Sequence, residues 1–311
     1  MFSVVIPLFN KVDRIGQTIE SVLSQSFTNF ELLVVDDGST DGSIQVVNTF
    51  NDPRLKLLSK VNGGVSSARN FGISRSIFPY IAFLDGDDLW HEKFLDKIRN
   101  LIVMWSECDI YASSYLRYVD SKPVSASSKK MIFSNGIIND YFDLQTKYFY
   151  PLVCSSAVVI KKDRFMELGM FNESLSFGED LDMWFRLILN GKIAYVNEPL
   201  AIYNDIPDHK RAKVINVDNN IVFNLSHFER YENSNHSFKT YINKFKLNRV
   251  LKFYIYGVNN CQVQKLVNQI PTTDFSFSHI IIYKVLPKIL LKWIYEVNVI
   301  IKKYKYLIFN S

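Results

Sequence analysis

Residues 81–88 read IAFLDGDD, four apolar residues that run directly into three carboxylates grouped around Gly86. A short apolar run closed by turn residues predicts a buried strand. Carboxylates brought close together repel one another unless a cation or hydrogen-bond donors compensate. Mg²⁺ or Mn²⁺ bound by one or two carboxylates and by phosphates would satisfy the arrangement. An ordinary strand-ending turn is the alternative, because Asp and Gly both favour turns.

Apolar strand-like runs alternate with amphipathic stretches before this motif. The alternation predicts βαβ units and a mostly parallel sheet with helices on both faces. Ligands of such sheets bind beyond the carboxyl ends of the strands. We therefore expect the acids at 36–37 and at 85–88 to face one crevice. The predicted strands are 3–9, 30–37, 54–60 and 79–85, and the predicted helices are 15–25, 42–50 and 65–76.

Composition excludes several classes of protein. A chain of 311 residues that is 48% hydrophobic supports one large domain with an appendage. Its three cysteines are far apart in sequence and indicate neither a disulfide framework nor a Cys-rich metal site. The first strand is not followed by G-x-G-x-x-G, and no Walker-type glycine loop occurs, which disfavours dinucleotide-binding and P-loop proteins. No secretory leader pattern opens the sequence, so we expect a cytoplasmic location.

Charge is distributed unevenly along the chain. Residues 1–238 hold 24 Lys and Arg against 29 Asp and Glu, whereas residues 239–311 hold 12 against 2. A strongly basic segment indicates an anionic partner, either a nucleic acid or a membrane surface.

The sequence from Pro287 predicts an amphipathic helix. Lysines at 284, 288 and 292 interrupt the apolar run 280–301, so the segment suits an interfacial helix with basic edges better than a membrane span. A helix that packs on the main domain or on another subunit, as in a homo-oligomer, is the open alternative. Its apolar face would comprise Ile289, Leu290, Trp293, Ile294, Val297, Ile300 and Ile301.

Five motifs occur together in a recognisable order. They are VVIPLFN near the start, VVDDGSTDGS at 34–43, NGGVSSARNFG at 62–72, FLDGDD at 83–88 and FGEDLDMWFRL at 177–187. In this order and spacing the chain resembles the family-2 glycosyltransferases with the GT-A fold. The resemblance implies an α/β GT-A domain over 1–215, with a nucleotide-sugar half at 1–110 and an acceptor half at 111–215. A helical, basic and aromatic region would follow at 216–311.

The resemblance also implies a donor site. Asp36 would accept a hydrogen bond from a uracil ring, which favours a UDP-sugar. Arg69 would lie near the base or the diphosphate, with a helix-surface arginine as the alternative reading. Asp85 would contact the ribose or the metal, Asp87 would bind the metal, and Asp88 would orient the turn. The residues implied in nucleotide binding are Pro7, Phe9, Asn10, Asp36, Arg69, Asp85 and Gly86.

For the acceptor side, the resemblance implies Asp180 as the general base of an inverting displacement. Taken alone, Asp180 reads as a first-turn acid stabilised by the helix dipole. The stretch 154–160 would be a strand whose hydroxyls enter near the site, and Trp184 would either face a sugar ring or belong to the core. His209 would approach the metal or diphosphate, or else be a loop histidine.

The function implied is metal-dependent transfer, with Mn²⁺ or Mg²⁺, of a hexose or N-acetylhexosamine from a UDP-sugar to a glycan hydroxyl. The acceptor would be lipid-linked, as in surface polysaccharide or lipopolysaccharide, and the basic tail would hold the protein at the inner face of the membrane. A catalytically inactive GT-A-like glycan-binding scaffold is one alternative. A nucleic-acid-binding protein is the other, although it leaves the acidic crevice unexplained.

Overall fold

A computed structural model describes the chain in seven stretches, 1–119, 122–126, 135–148, 151–204, 218–256, 260–274 and 280–297. Its contacts divide the chain into two compact units, Met1–Ile221 and Val222–Ser311. The boundary predicted at 215 and 216 falls within residues 205–217, which lie outside the described stretches. Within those stretches, no helix is long and apolar enough to cross a membrane.

The strands described in the first unit form one mixed sheet, and helices pack on it. The strand order is β3-β2-β1-β4-β9-β6-β10-β5, with β7 added beside β6 and β8 beside β10. The strands are β1 (Phe2–Leu8), β2 (Phe30–Asp36), β3 (Leu55–Ser59), β4 (Tyr80–Phe83), β5 (Leu89–Trp90), β6 (Ile110–Val119), β7 (Lys122–Ala126), β8 (Gly136–Ile138), β9 (Val158–Lys161) and β10 (Ile193–Asn204).

The first four strands run parallel, as their sequence predicts. In the register, Leu8 pairs with Asp36 and Val5 pairs with Phe83, so the carboxyl ends of β1, β2 and β4 meet at one edge. Every residue of β2 is buried, which is typical of a parallel strand covered on both faces. The predicted convergence of the two acidic clusters follows from this register.

Helices cover both faces of the sheet. Helix α3 comes so close to β1 that a Cβ added at Gly72 would lie 2.6 Å from Val5 Cγ1, so only glycine permits this packing distance. The helices of the first unit are α1 (Ile15–Leu23), α2 (Ser43–Val47), α3 (Val65–Arg75), α4 (Phe94–Met104), α5 (Tyr141–Tyr148), α6 (Lys162–Glu167) and α7 (Glu179–Asn190).

The second half of the sheet differs from the parallel first half. Strand β9 is antiparallel to both β4 and β6, while β6 and β10 run parallel. The strand predicted over 154–160 begins only at Val158, because residues Ser155–Ala157 form a 3₁₀ turn. That turn corrects the sequence prediction and brings Ser156 to the strand ends.

The second unit is helical in its described residues. Its buried side chains include Phe228, Phe238, Ile242 and Leu247. The helix predicted to follow Pro287 is present over 288–297 and is called α11 here. The other α-helices described in this unit are α8 (Glu229–Glu232), α9 (His236–Tyr256) and α10 (Asn260–Gln269).

Candidate active site

Asp36 at the end of β2 and Asp37 directly after it hold loops in place. Asp36 is 2% exposed, and its carboxylate accepts the backbone N–H groups of Gly38 and Ser39 at 3.2 and 3.1 Å. Asp37 accepts from Lys60 Nζ at 2.7 Å and from the Gly64 N–H at 2.7 Å. A carboxylate offers about four lone-pair positions, so Asp36 could accept a uracil N–H in addition to the N–H groups of Gly38 and Ser39. Its role in base binding stays a prediction.

The loop after β1 is tied to the loop after β2. Asn10 adopts a left-handed conformation with φ 51°, which Asn tolerates better than most residues. Its Oδ1 accepts the Thr40 N–H at 2.8 Å, and its own N–H donates to Ser39 Oγ at 3.1 Å. Phe9 beside it is 47% exposed. An exposed aromatic ring thus stands on a fixed loop at the strand ends.

Gly86 has little room for a side chain beside the loop that follows β1. A Cβ at this position would lie 3.3 Å from the carbonyl oxygen of Pro7 and 3.7 Å from Lys11 Cγ. The DGDD turn therefore packs directly against the loop that follows β1.

Asp87 is engaged by Lys11, whose Nζ donates to the Asp87 carboxylate. The sequence analysis did not identify Lys11 as a site residue. Its position in the sequence could have identified it, because Lys11 directly follows the Pro7–Asn10 segment and the parallel register brings that segment beside the DGDD turn.

Asp88 lies beneath the site and is fully buried. Its carboxylate accepts from Ser156 Oγ and from the Asn204 N–H, and Ser156 Oγ also accepts the Asp85 N–H at 3.1 Å. Burial, together with the charges of Asp85 and Asp87, raises the pKa of Asp88 well above its usual value. Asp88 thus fixes the turn through Ser156, which belongs to the 154–160 stretch whose hydroxyls the sequence analysis placed near the site.

Arg69 joins the two acidic motifs. Its Nη2 lies 2.6 Å from Asp85 Oδ1, and its Nη1 lies 3.4 Å from Glu179 Oε1. Its guanidinium carbon lies 5.1 Å from the ring centroid of Phe171. Burial would lower the pKa of Arg69, but the charges of Asp85 and Glu179 outweigh this effect and raise the pKa. Arg69 is not the surface arginine of the alternative reading, because only 3% of its side chain is exposed.

Glu179 and Asp180 begin α7, as the sequence predicts. Gly178 precedes them in a left-handed conformation with φ 79°, and a Cβ there would overlap Ile221 Cγ2. Burial raises the pKa of Glu179, and the neighbouring charge of Asp180 raises it further. Asp180 Oδ1 accepts the Leu181 N–H at 2.8 Å. A carboxylate at this helix start is stabilised by the dipole and lies in the electrostatic field of Arg69.

The structure describes Trp184 but not His209. Trp184 is 1% exposed and packs against Phe83 and Phe171, so the core alternative is correct and the sugar-stacking one is wrong. His209 lies in residues 205–217, outside the described stretches.

The chemistry of the strand-end acids fits a hard divalent cation. Asp85 and Asp87 offer carboxylate oxygens that remain partly exposed. Across the described stretches, no group of three or more His, Cys, Asp or Glu side chains is arranged to hold a metal ion. Mg²⁺ is commonly held by one or two carboxylates with water and substrate phosphates, so two carboxylates are a sufficient protein contribution.

Comparison with known proteins identifies the family of the chain. The glycosyl transferase family 2 model matches residues 3–167, slightly more than half of the chain. An uncharacterized glycosyltransferase of Rickettsia felis is 30% identical over 201 residues, which are 64% of this chain and 32% of the relative. The glycosyltransferase GlyG of Streptococcus pneumoniae is 27% identical over 213 residues, covering 65% of this chain and 70% of GlyG. The chain thus spans about a third of the length of the Rickettsia felis relative.

Solved structures share the fold. Staphylococcus aureus TarS 1–349 in complex with UDP-GlcNAc superposes with a TM-score of 0.69 at 20% identity, covering 88% of this chain and 82% of that one. The same TarS fragment in complex with UDP gives a TM-score of 0.67 at 19% identity. The GT-A architecture expected from the motifs is confirmed.

Proposed function

The chain belongs to glycosyl transferase family 2, and from that membership we propose that it transfers a hexose or N-acetylhexosamine from a UDP-sugar to a glycan hydroxyl with inversion. The observation that carries this proposal is the bridge made by Arg69. Its ion pairs to Asp85 and Glu179 bring the strand-end acids and the acids of α7 to the two sides of one buried guanidinium. Leaving-group stabilisation and proton removal need such groups within one site.

The donor end of the site is the edge where β1, β2 and β4 finish. The ring of Phe9 and the backbone around Pro7 and Asn10 offer an apolar surface with polar groups for a base, and Asp36 offers an acceptor. That TarS was captured with UDP-GlcNAc and with UDP, on the same fold, supports a uridine nucleotide here.

Asp85 and Asp87 are the residues that would hold Mn²⁺ or Mg²⁺, whose Lewis acidity neutralises charge on the departing diphosphate. Arg69 pairs with Asp85 from the protein side, and Lys11 pairs with Asp87, where it would compete with the cation. Lys11 also brings a positive charge to the mouth of the site, where it favours an anionic donor. A role for His209 as a further ligand stays a proposal.

Asp180 is the base that takes the proton from the acceptor hydroxyl. It stands at the start of α7, where the helix dipole stabilises negative charge, and it lies in the electrostatic field of Arg69. Attack from the side opposite the nucleotide inverts the anomeric centre. NMR analysis of the first-formed product should therefore show the anomeric configuration opposite to that of the donor.

We propose a lipid-linked glycan as acceptor and the inner face of the cell membrane as the place of action. The support is the basic composition of residues 239–311, which suits an anionic lipid surface. An inactive glycan-binding scaffold is disfavoured by the presence of Asp36, Asp85, Asp87 and Asp180 together.

The test is release of UDP from a panel of UDP-sugars with Mn²⁺ or Mg²⁺ and a membrane extract as acceptor source. Wild type should turn over one donor, and Asp87→Ala should lose most of this activity. The matched control is Asp163→Ala, an exposed acid on α6 that should retain wild-type rates. Full activity in Asp87→Ala, or no UDP binding by wild type with either metal, would overturn the donor-site assignment.

A further inference from the structure

The second unit carries an exposed apolar and basic surface that the proposed transfer chemistry does not use. We propose that this surface docks on an anionic lipid bilayer, with α11 lying in the plane of the head groups. We call it the tail face and define it as Lys288, Ile289, Leu290, Lys292 and Trp293. The inference rests on the proposed function in one respect, because docking would bring the active site to a lipid-linked acceptor. Its test does not involve turnover.

The apolar members of the tail face are exposed to a degree that is uncommon for large side chains. Ile289 is 87% exposed, Trp293 is 62% exposed and Leu290 is 42% exposed. Leu291, between them in sequence, is 4% exposed and anchors the opposite side of the helix. Contiguous exposed apolar side chains on a folded surface indicate an interaction site.

Helical spacing joins these side chains into one strip. Residues 289 and 293 are four apart and lie on one side of α11, with residue 290 at the edge of the same side. Lysines 288 and 292, also four apart, follow the other edge of the strip. A strip of Ile, Leu and Trp bordered by lysines is typical of helices that lie at a membrane interface.

Aromatic rings support the lysine edge. Lys288 Nζ lies 4.6 Å from the ring centroid of Tyr254, and Lys292 Nζ lies 5.5 Å from that of Tyr256. Tyr256 in turn packs edge-on against Tyr295, with centroids 6.2 Å apart. Tyrosine and tryptophan favour the boundary between head groups and acyl chains, because each has an apolar ring and a polar tip.

Charge selects an anionic lipid surface as the occupant. Residues 239–311 contain 12 Lys and Arg against 2 acidic residues, and lysines 302, 303 and 305 follow α11 in the sequence. A second copy docked by two-fold symmetry would bring the same lysines against each other, which costs affinity. A nucleic acid would use the lysines but would leave Ile289 and Leu290 in water.

The experiment is co-sedimentation of the full chain with phosphatidylcholine vesicles, with and without phosphatidylglycerol. Wild type should bind only the anionic vesicles. The double variant Lys288→Gln/Lys292→Gln should bind about 30-fold more weakly, from the usual contribution of each lysine near an anionic surface. Ile289→Glu/Trp293→Ala should lose about tenfold or more, because the inserted apolar area is removed.

Matched controls lie in the first unit. Ile77→Glu changes an isoleucine that is 68% exposed, and Lys93→Gln/Lys192→Gln removes two exposed lysines, so each should bind vesicles as wild type does. UDP binding and the circular dichroism spectrum should be unchanged in every variant, which separates a docking defect from misfolding.

Three results would overturn the proposal. The first is equal binding to neutral and anionic vesicles, or none to either. The second is loss of binding in the lysine variant but not in Ile289→Glu/Trp293→Ala, which would indicate a purely electrostatic partner. The third is a wild-type dimer that Ile289→Glu dissociates without any change in vesicle binding, which would assign the face to a second copy. None of these results depends on whether the protein releases UDP.

Discussion

Arg69 and Asp85 form an ion pair with 2.6 Å between Nη2 and Oδ1, and the arginine side chain is almost completely enclosed. Removing one partner of such a pair leaves the other charge poorly solvated. We expect Arg69→Met to lower the free energy of unfolding by about 3 kcal/mol, at the lower end for buried pairs because Asp85 keeps some contact with water. Urea titration followed by circular dichroism measures this change.

Arg75 on the same helix provides the control, since it is exposed and stacks on Phe71. Arg75→Met should cost no more than about 1 kcal/mol. Arg69→Lys keeps the charge but loses the forked geometry that reaches both Asp85 and Glu179, so its activity should fall even where it folds. Equal stability of Arg69→Met and Arg75→Met would contradict the bridging role.

Gly178 controls the start of α7. Gly178→Ala should be destabilised both by the left-handed conformation, at about 1–2 kcal/mol, and by overlap with Ile221. Gly169→Ala carries only the first cost, because it has φ 88° but nothing within 4 Å of an added Cβ. We expect a lower thermal midpoint and slower turnover for Gly178→Ala than for Gly169→Ala. Identical behaviour of the two variants would show that the contact with Ile221 has no role.

Glu31 links pH to stability. Burial would raise the pKa of Glu31, but hydrogen bonds from Ser3, the Ile77 N–H and Lys56 outweigh it and lower the pKa from 4.5. A lowered pKa means that the stabilisation is present above the unfolded-state value and is lost as the pH falls through the folded-state value. Glu31→Gln should therefore cost about 1–3 kcal/mol near neutral pH, and the difference from wild type should shrink below pH 4.5.

Urea titrations at neutral and acidic pH measure this dependence. Glu20→Gln is the control, because Glu20 is exposed on α1 and should show little change at either pH. A pH-independent cost for Glu31→Gln would mean that its packing, rather than its charge, matters.

Lys11 competes with a divalent cation for Asp87. Removing its ammonium group in Lys11→Gln should leave Asp87 open to the cation and should tighten Mn²⁺ binding, which calorimetry in the absence of nucleotide measures. The exposed Lys93→Gln should leave Mn²⁺ affinity unchanged. Weaker Mn²⁺ binding in Lys11→Gln would instead show that the lysine orients the carboxylate for the metal.

Much of the fold follows from local patterns in the sequence. Strands β1 to β4 and helices α1 to α3 lie where apolar runs and amphipathic stretches predict them, because parallel strands covered on both faces are almost wholly apolar. The antiparallel insertion of β9 between β4 and β6 has no comparable local signal, since its partners are distant in sequence. The turn at Ser155–Ala157 was likewise hidden, because its hydrogen bonds go to Asp85 and Asp88.

The sequence analysis named the carboxylates of the candidate site and Arg69, but it gave no sign of Lys11. Asp85, Asp87 and Asp180 stand out because they occur within motifs whose order and spacing resemble those of a known family, since each acid alone also has an ordinary structural explanation. Lys11 looks like an ordinary basic residue in sequence, and only the structure shows that it faces Asp87. Arg69 was placed in the donor site, but its ion pair with Asp85 was not predicted. The sequence could not decide between the two roles of Trp184, because an aromatic residue at helical spacing suits either a core or a sugar surface.

The most direct test of the account compares wild type with Asp180→Asn at saturating UDP-sugar, with the rate of UDP release and the UDP dissociation constant measured on the same samples. The account predicts an unchanged dissociation constant and a release rate lower by about 10²–10⁴-fold, because the acceptor proton loses its base. A release rate close to that of wild type, with UDP still bound normally, would contradict the assignment of Asp180 and the proposed mechanism.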